Sequence, residues 1–285
     1  MVCSLCPVSD SKPVIRRERP FTLLFVIFAL GALLLLVIVV VALLLLMEPS
    51  LLYHPRTDAQ EWREFSSDYQ ELALADGTSA LWCPVAESEL VVLYCHGNFG
   101  NLSMRADWIE PLHRHLNASV LLFDPPGYGK TRGKPTEAGC YASAESAFEW
   151  LKERGVEARN VVLWGKSLGA AIATELAVRH PDCRALVMID PFTCVPDAAN
   201  AMLPVPVGFL ARNRFDNARK IAHIAMPKII LGAENDAICP SWMARKLIEL
   251  APEPKQGRIL AGRSHAESLP ENEWVWLAGQ LRANG

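Results

Sequence analysis

From residue 90 onward two patterns alternate along the chain: short apolar runs, and longer stretches in which apolar side chains return every three or four positions. Unbroken runs fit strands buried on both faces, and the longer period fits helices packed against them. The runs predict strands at residues 90–95, 119–123, 160–164, 184–189, 228–231 and 258–260, with helices at about 102–116, 136–154, 168–180, 241–250 and 271–282. This alternation defines the α/β class, a mostly parallel sheet flanked by helices. Upstream, residues 69–75 and 78–83 flank Asp76-Gly77, a hairpin dipeptide, so an antiparallel edge is expected there. One gap departs from the rhythm. Between Pro191 and Pro227, Pro196, Pro204, Pro206 and Gly208 break any single helix, and the length suits a small cap (residues 191–226) over the carboxyl ends of the strands.

Residues 21–47 follow neither pattern. These 27 positions carry no charge, and only Thr22 and Gly31 interrupt the apolar side chains. A helix of that length measures about 40 Å against a hydrocarbon core of about 30 Å, so it spans a bilayer with tilt. A signal peptide has a shorter apolar region and a small-residue cleavage site, which Leu46-Met47-Glu48-Pro49 does not offer. An uncleaved anchor ended by Glu48 and Pro49 is therefore expected. Lys12, Arg16, Arg17 and Arg19 precede it, whereas Arg56 and Arg63 follow within a comparable distance, which favours a cytoplasmic N-terminus. The expected organisation is a cytoplasmic tail (1–20), a transmembrane anchor (21–47), a juxtamembrane linker (48–66) and one domain (67–285) on the other side of the membrane.

The 285 residues, 51% of them hydrophobic, suffice for that one domain with a full core. A net charge of −3, without a basic stripe interleaved with aromatics, excludes a nucleic-acid partner. The eight cysteines, at 3, 6, 83, 95, 140, 183, 194 and 239, have neither the density of a disulfide scaffold nor the paired spacing of a zinc site.

Candidate chemistry centres on Gly165-Lys166-Ser167-Leu168-Gly169, placed between a predicted strand and a predicted helix. A serine on such a turn is forced into a strained conformation that exposes its hydroxyl. Gly165 and Gly169 are required because the strand and helix backbones pass too close for a Cβ. Gly165-Lys166-Ser167 and Gly129-Lys130-Thr131 also look like the end of a phosphate-binding loop. That loop needs a glycine five positions before the second one, where Asn160 and Asp124 stand, and the nucleotide reading fails.

A serine nucleophile needs a base, and the base needs a group that fixes its tautomer. His265 lies in the loop after the last predicted strand, at the same end of the sheet as Ser167. Asp236, after the penultimate strand, is the chosen acid, with Glu234 and Asp190 as rivals. The oxyanion donors expected are the backbone N–H groups of Leu168 and of Asn98, in the small-residue turn after the strand at 90–95. His96 is read as orienting that turn, His54 as a loop residue, and His113, His115, His180 and His223 as surface or packing residues.

His96-Gly97-Asn98, Asp124-Pro125-Pro126-Gly127-Tyr128-Gly129-Lys130, Gly165-Lys166-Ser167-Leu168-Gly169, Asp236 and His265, in this order and spacing, resemble the α/β-hydrolase superfamily. More narrowly the chain is similar to the membrane-anchored Bem46-like branch, whose anchor is followed by a segment like Leu51-Leu52-Tyr53-His54-Pro55. The resemblance covers about residues 50–282. That branch usually carries a Tyr-Arg pair after the aspartate, and here Pro125-Pro126 stiffens a loop expected near the pocket. The resemblance implies a serine hydrolase acting on esters or thioesters, with no cofactor and no metal, and lipid-like substrates favoured by the anchor. A serine peptidase or amidase on the same fold is the alternative, as is a catalytically silent, membrane-tethered binding module. Dehalogenase or epoxide chemistry needs an aspartate where Ser167 stands.

Overall fold

A computed structural model of the protein describes residues 20–283. The four basic residues expected to orient the anchor, with Cys3 and Cys6, lie outside the described residues. The chain divides into two compact units, residues 1–44 and residues 45–285. Helix α1 (Pro20–Leu52) fills the described part of the first unit and enters the second, and it is long and apolar enough to cross a membrane from Leu24 onward. It overruns its expected end. Pro49 has no N–H for the carbonyl of Leu45, which ordinarily stops a helix. Here that carbonyl accepts from Arg212 Nη2 at 2.5 Å, and Glu48 Oε1 accepts from the N–H groups of Arg212 and Asn213 at 2.8 Å each. Residues 48–52 are therefore helix rather than linker, because a partner about 160 residues away takes up the orphaned groups.

The second unit is built on an eight-stranded sheet. Its strands are β1 (Gln70–Ala73), β2 (Ser79–Cys83), β3 (Val91–Cys95), β4 (Ser119–Phe123), β5 (Val161–Lys166), β6 (Ala185–Ile189), β7 (Lys228–Ala233) and β8 (Lys255–Leu260). They lie in the order β8-β7-β6-β5-β3-β4-β2-β1. The hairpin β1-β2 and the pair β2-β4 are antiparallel, and the remaining pairs are parallel. The strand period of two divides the core. Leu93 and Cys95 of β3 pack with α3 (Glu137–Glu153) and α4 (Leu168–Arg179), whereas Val92 and Tyr94 pack with α2 (Ala106–Leu116) and α8 (Glu271–Ala283).

The broken segment folds as α5 (Val195–Met202), a short 3-10 turn at Gly208–Leu210 and α6 (Asn217–Ile221), followed after β7 by α7 (Ser241–Leu250). Phe215 and Ile221 are fully buried, while Met202, Val205 and Phe209 are exposed, Phe209 by 75%. The cap thus packs one side on the domain and presents the other. Among the described residues Cys83, Cys95, Cys140, Cys183, Cys194 and Cys239 are all free.

Candidate active site

Strand β5 ends at Lys166, and Ser167 follows at φ 53° and ψ −119° before α4 begins. That region is unfavourable for a residue with a Cβ and persists only where neighbours enforce it. Ser167 N–H donates to Ile189 O at 2.8 Å, and Ala170 N–H donates back to Ser167 O at 2.9 Å, which clamps the turn between β6 and the new helix. A Cβ on Gly165 would collide with the backbone of Gly169 and Ala170, and one on Gly169 would collide with the carbonyls of Cys95 and His96. Both glycines let the helix pack close against the sheet, and Ser167 stands on the sharp turn between them.

The loops after β7 and β8 bring Asp236 and His265 together: His265 Nδ1 lies 2.6 Å from Asp236 Oδ2. The other carboxylate oxygen accepts from Ile238 N–H at 2.8 Å and Cys239 N–H at 2.7 Å. Burial pushes the Asp236 carboxyl up, but the hydrogen bond from His265 and those two N–H groups outweigh it and hold the group below its ordinary range. An ionised Asp236 requires a proton on His265 Nδ1, which leaves Nε2 as the basic nitrogen of the neutral ring. Of the rivals, Glu234 Oε2 accepts from Gly262 N–H at 2.9 Å and closes a turn, and Asp190 is taken up by Arg263 and Lys166.

Cys239 is a neighbour that sequence reasoning did not single out. Its sulfur, a His265 ring nitrogen and an Asp236 oxygen all lie within 4.8 Å of one another, and the Ser167 hydroxyl is a further neighbour of the thiol. Burial, reinforced by the Asp236 charge, pushes this thiol far up, so it stays protonated and non-nucleophilic. It stands three residues after Asp236, in the turn whose Cys239 N–H the Asp236 carboxylate accepts. Cys239 thus borders both Ser167 and the Asp236–His265 pair.

Leu168 is the first residue of α4, where helix geometry supplies no partner for its N–H. The turn carrying Asn98 is held from three sides. Asn98 O accepts from His54 N–H at 3.0 Å and Tyr128 Oη at 2.7 Å, and Asn98 Nδ2 donates to Leu52 O at 3.0 Å. No hydrogen bond engages the Asn98 N–H among the described residues. His96, expected to orient this turn, spans Gly97 O at 2.7 Å and Asp124 Oδ1 at 3.0 Å. Asp124 is fully buried, and burial raises its pKa against the opposing pull of His96. Elsewhere His180 pairs with Glu145 and His115 stacks on Trp274, as packing histidines do.

A family profile described as the alpha/beta hydrolase fold matches residues 91–224. The protein has the α/β-hydrolase fold. It is 29% identical over 193 residues to protein bem46 of Schizosaccharomyces pombe, across 62% of this chain and 64% of that one. It is 31% identical over 205 residues to lysophosphatidylserine lipase ABHD12 of Macaca fascicularis, across 62% and 50% respectively. An uncharacterised protein of Mycobacterium tuberculosis is 38% identical over 176 residues, across 61% and 62%. The chain thus spans less than two thirds of these relatives, and its likeness to bem46 and ABHD12 supports the resemblance to the Bem46-like branch. Among solved structures, Pyrococcus furiosus esterase Pf2001 superposes with a TM-score of 0.65 at 17% identity, across 81% of this chain and 100% of that one, which shows the same fold.

The departure from that branch borders a cavity on the hairpin side of the sheet. Pro126 lines this cavity of about 420 Å³ with Asp76, Thr78, Thr131, Arg132 and Ser143, and none of Ser167, Asp236 and His265 lies on its walls.

Proposed function

We propose that this protein is a membrane-anchored serine hydrolase that cleaves carboxylic ester or thioester bonds of acyl, lipid-like substrates through an acyl-enzyme. The observation that carries the reading is Ser167, held at positive φ on the strand–helix turn, beside an Asp236–His265 pair bonded at 2.6 Å. His265 Nε2 takes the Ser167 proton as Oγ attacks the carbonyl carbon, and the N–H groups of Asn98 and Leu168 receive the charge on its oxygen. The same imidazolium protonates the departing alcohol or thiol. It then accepts a proton from the water that hydrolyses the acyl-enzyme and returns that proton to Ser167. Asp236 stabilises the imidazolium throughout and keeps the ring in its working tautomer.

Three observations support an acyl substrate at a membrane: the span in α1, the exposed Met202, Val205 and Phe209 of the cap, and the likeness to a lysophosphatidylserine lipase. The excess of Lys and Arg before the anchor supports a cytoplasmic N-terminus and a hydrolase domain on the opposite side. Removal of residues 1–44, which leaves the second compact unit whole, tests the reading. Hydrolysis of short soluble esters is expected to persist while hydrolysis of bilayer-embedded acyl substrates falls steeply. A full-length protein that cleaves neither class, or whose Ser167→Ala variant cleaves both at the wild-type rate, defeats it.

A further inference from the structure

Behind the elbow lies a buried charge cluster to which the mechanism above gives no part. Asp190 follows β6 with its side chain wholly buried and its backbone at φ 49°, a second non-glycine residue in the left-handed region beside the serine. Its carboxylate accepts from both Nη groups of Arg263, at 2.5 and 2.9 Å, and from Lys166 Nζ at 2.7 Å. Its N–H donates to Leu231 O on the neighbouring strand at 2.7 Å, so the carboxylate is fixed to the sheet. Two cations thus meet one anchored anion.

The two cations come from the two segments that catalysis has to hold in register. Lys166 immediately precedes Ser167, and Arg263 stands two residues before His265. Lys166 Nζ makes a second bond across the site, to the carbonyl of His265 at 2.8 Å. Arg263 Nη2 donates to Glu267 O at 2.5 Å and Nε to Ser268 O at 3.3 Å, which stitches the loop on both sides of the histidine. Arg263 O accepts from Asn235 N–H at 2.9 Å, next to Asp236. The loop around His265 has no helix or strand of its own. A bidentate Arg–carboxylate fork fixes direction as well as distance, which an apolar contact does not.

Taking the serine-hydrolase reading as its basis, we propose that Asp190, Lys166 and Arg263 are positioning residues that set His265 against Ser167, with the Lys166–His265 carbonyl bond as the direct link. They touch no reacting atom. Their effect is to hold the base where proton transfer from Ser167 is possible, and a displacement of about 1 Å at such a point costs on the order of 100-fold in rate.

The full-length protein in detergent, assayed on a short-chain nitrophenyl ester, tests the proposal through Lys166. Asp190→Asn strands two buried cations and risks the fold, whereas Lys166→Met leaves the Arg263 fork intact. Lys166→Met is expected to lower kcat by about 10- to 100-fold with KM within about two-fold of wild type. Lys166→Arg, which keeps a donor for both acceptors, is expected to recover most of that loss, and both variants should melt within a few degrees of wild type. A kcat for Lys166→Met within two-fold of wild type overturns the proposal, as does an equal loss in Lys166→Arg. A wild-type chain that neither hydrolyses the ester nor labels with a fluorophosphonate removes the hydrolase reading and this one with it. A labelled, active wild type with an unimpaired Lys166→Met removes this one alone.

Discussion

Asp236 carries three short hydrogen bonds on one carboxylate, and that is where its role can be weighed. Asp236→Asn keeps the volume but offers His265 an amide that can present its N–H₂ and favour the wrong tautomer. The expected result is a loss of about four orders of magnitude in kcat with a folded protein, as for a misoriented base elsewhere. The same group makes a statement about pH. Its folded-state pKa lies below the ordinary value of 3.8, so its contribution to stability is complete above that value and is lost as pH falls through the folded one. The difference in melting temperature between wild type and Asp236→Asn should therefore stay constant from about pH 7 down to about pH 5 and shrink below about pH 4. Thermal unfolding followed by circular dichroism across that range checks both the sign and the window. A difference that does not shrink below about pH 4 would contradict the lowered value.

At the scale of elements, the end of α1 shows how far local rules reach. Glu48-Pro49 reads as a stop, and the helix passes through it because Arg212 and Asn213 supply donors that no neighbouring residue announces. Glu48→Ala would leave the N–H groups of both residues without their acceptor, a cost of about 1 kcal/mol for donors that are only partly buried. A lowered melting temperature, with short-ester kcat unchanged, is the expected outcome in a chain that keeps its anchor. The sheet interior is legible in the sequence for the opposite reason. β3, β4 and β6 are buried along their whole length, so their apolar runs are unbroken and their bounds come out within a residue. β8 begins three residues before its apolar stretch, because Lys255, Gln256 and Gly257 lie on an edge strand and need no apolar side chain. The elbow is legible through Gly165 and Gly169, whose absent Cβ atoms are a steric requirement that composition records. The meeting of Lys166, Asp190 and Arg263 is not, since one charged residue at a strand end and two in separate loops carry no period and no spacing rule.

At the scale of the whole molecule, one sheet serves two ends. Its parallel strands deliver Ser167, Asp236 and His265 to loops at their carboxyl ends, as open α/β sheets do. The last residues of α1 reach the turn next to that site, where Leu52 O and His54 N–H both bond Asn98. The proposed membrane segment therefore leads, within a few residues, to a proposed oxyanion donor, and the cap leaves Met202, Val205 and Phe209 uncovered. All of this rests on one atom being a nucleophile. Labelling of the intact protein with a fluorophosphonate, followed by peptide mapping of the adduct, tests that most directly. The account predicts a single adduct on Ser167 at pH 7.5, absent from Ser167→Ala and strongly slowed in His265→Ala. An adduct on another residue, or labelling that survives Ser167→Ala, would contradict it.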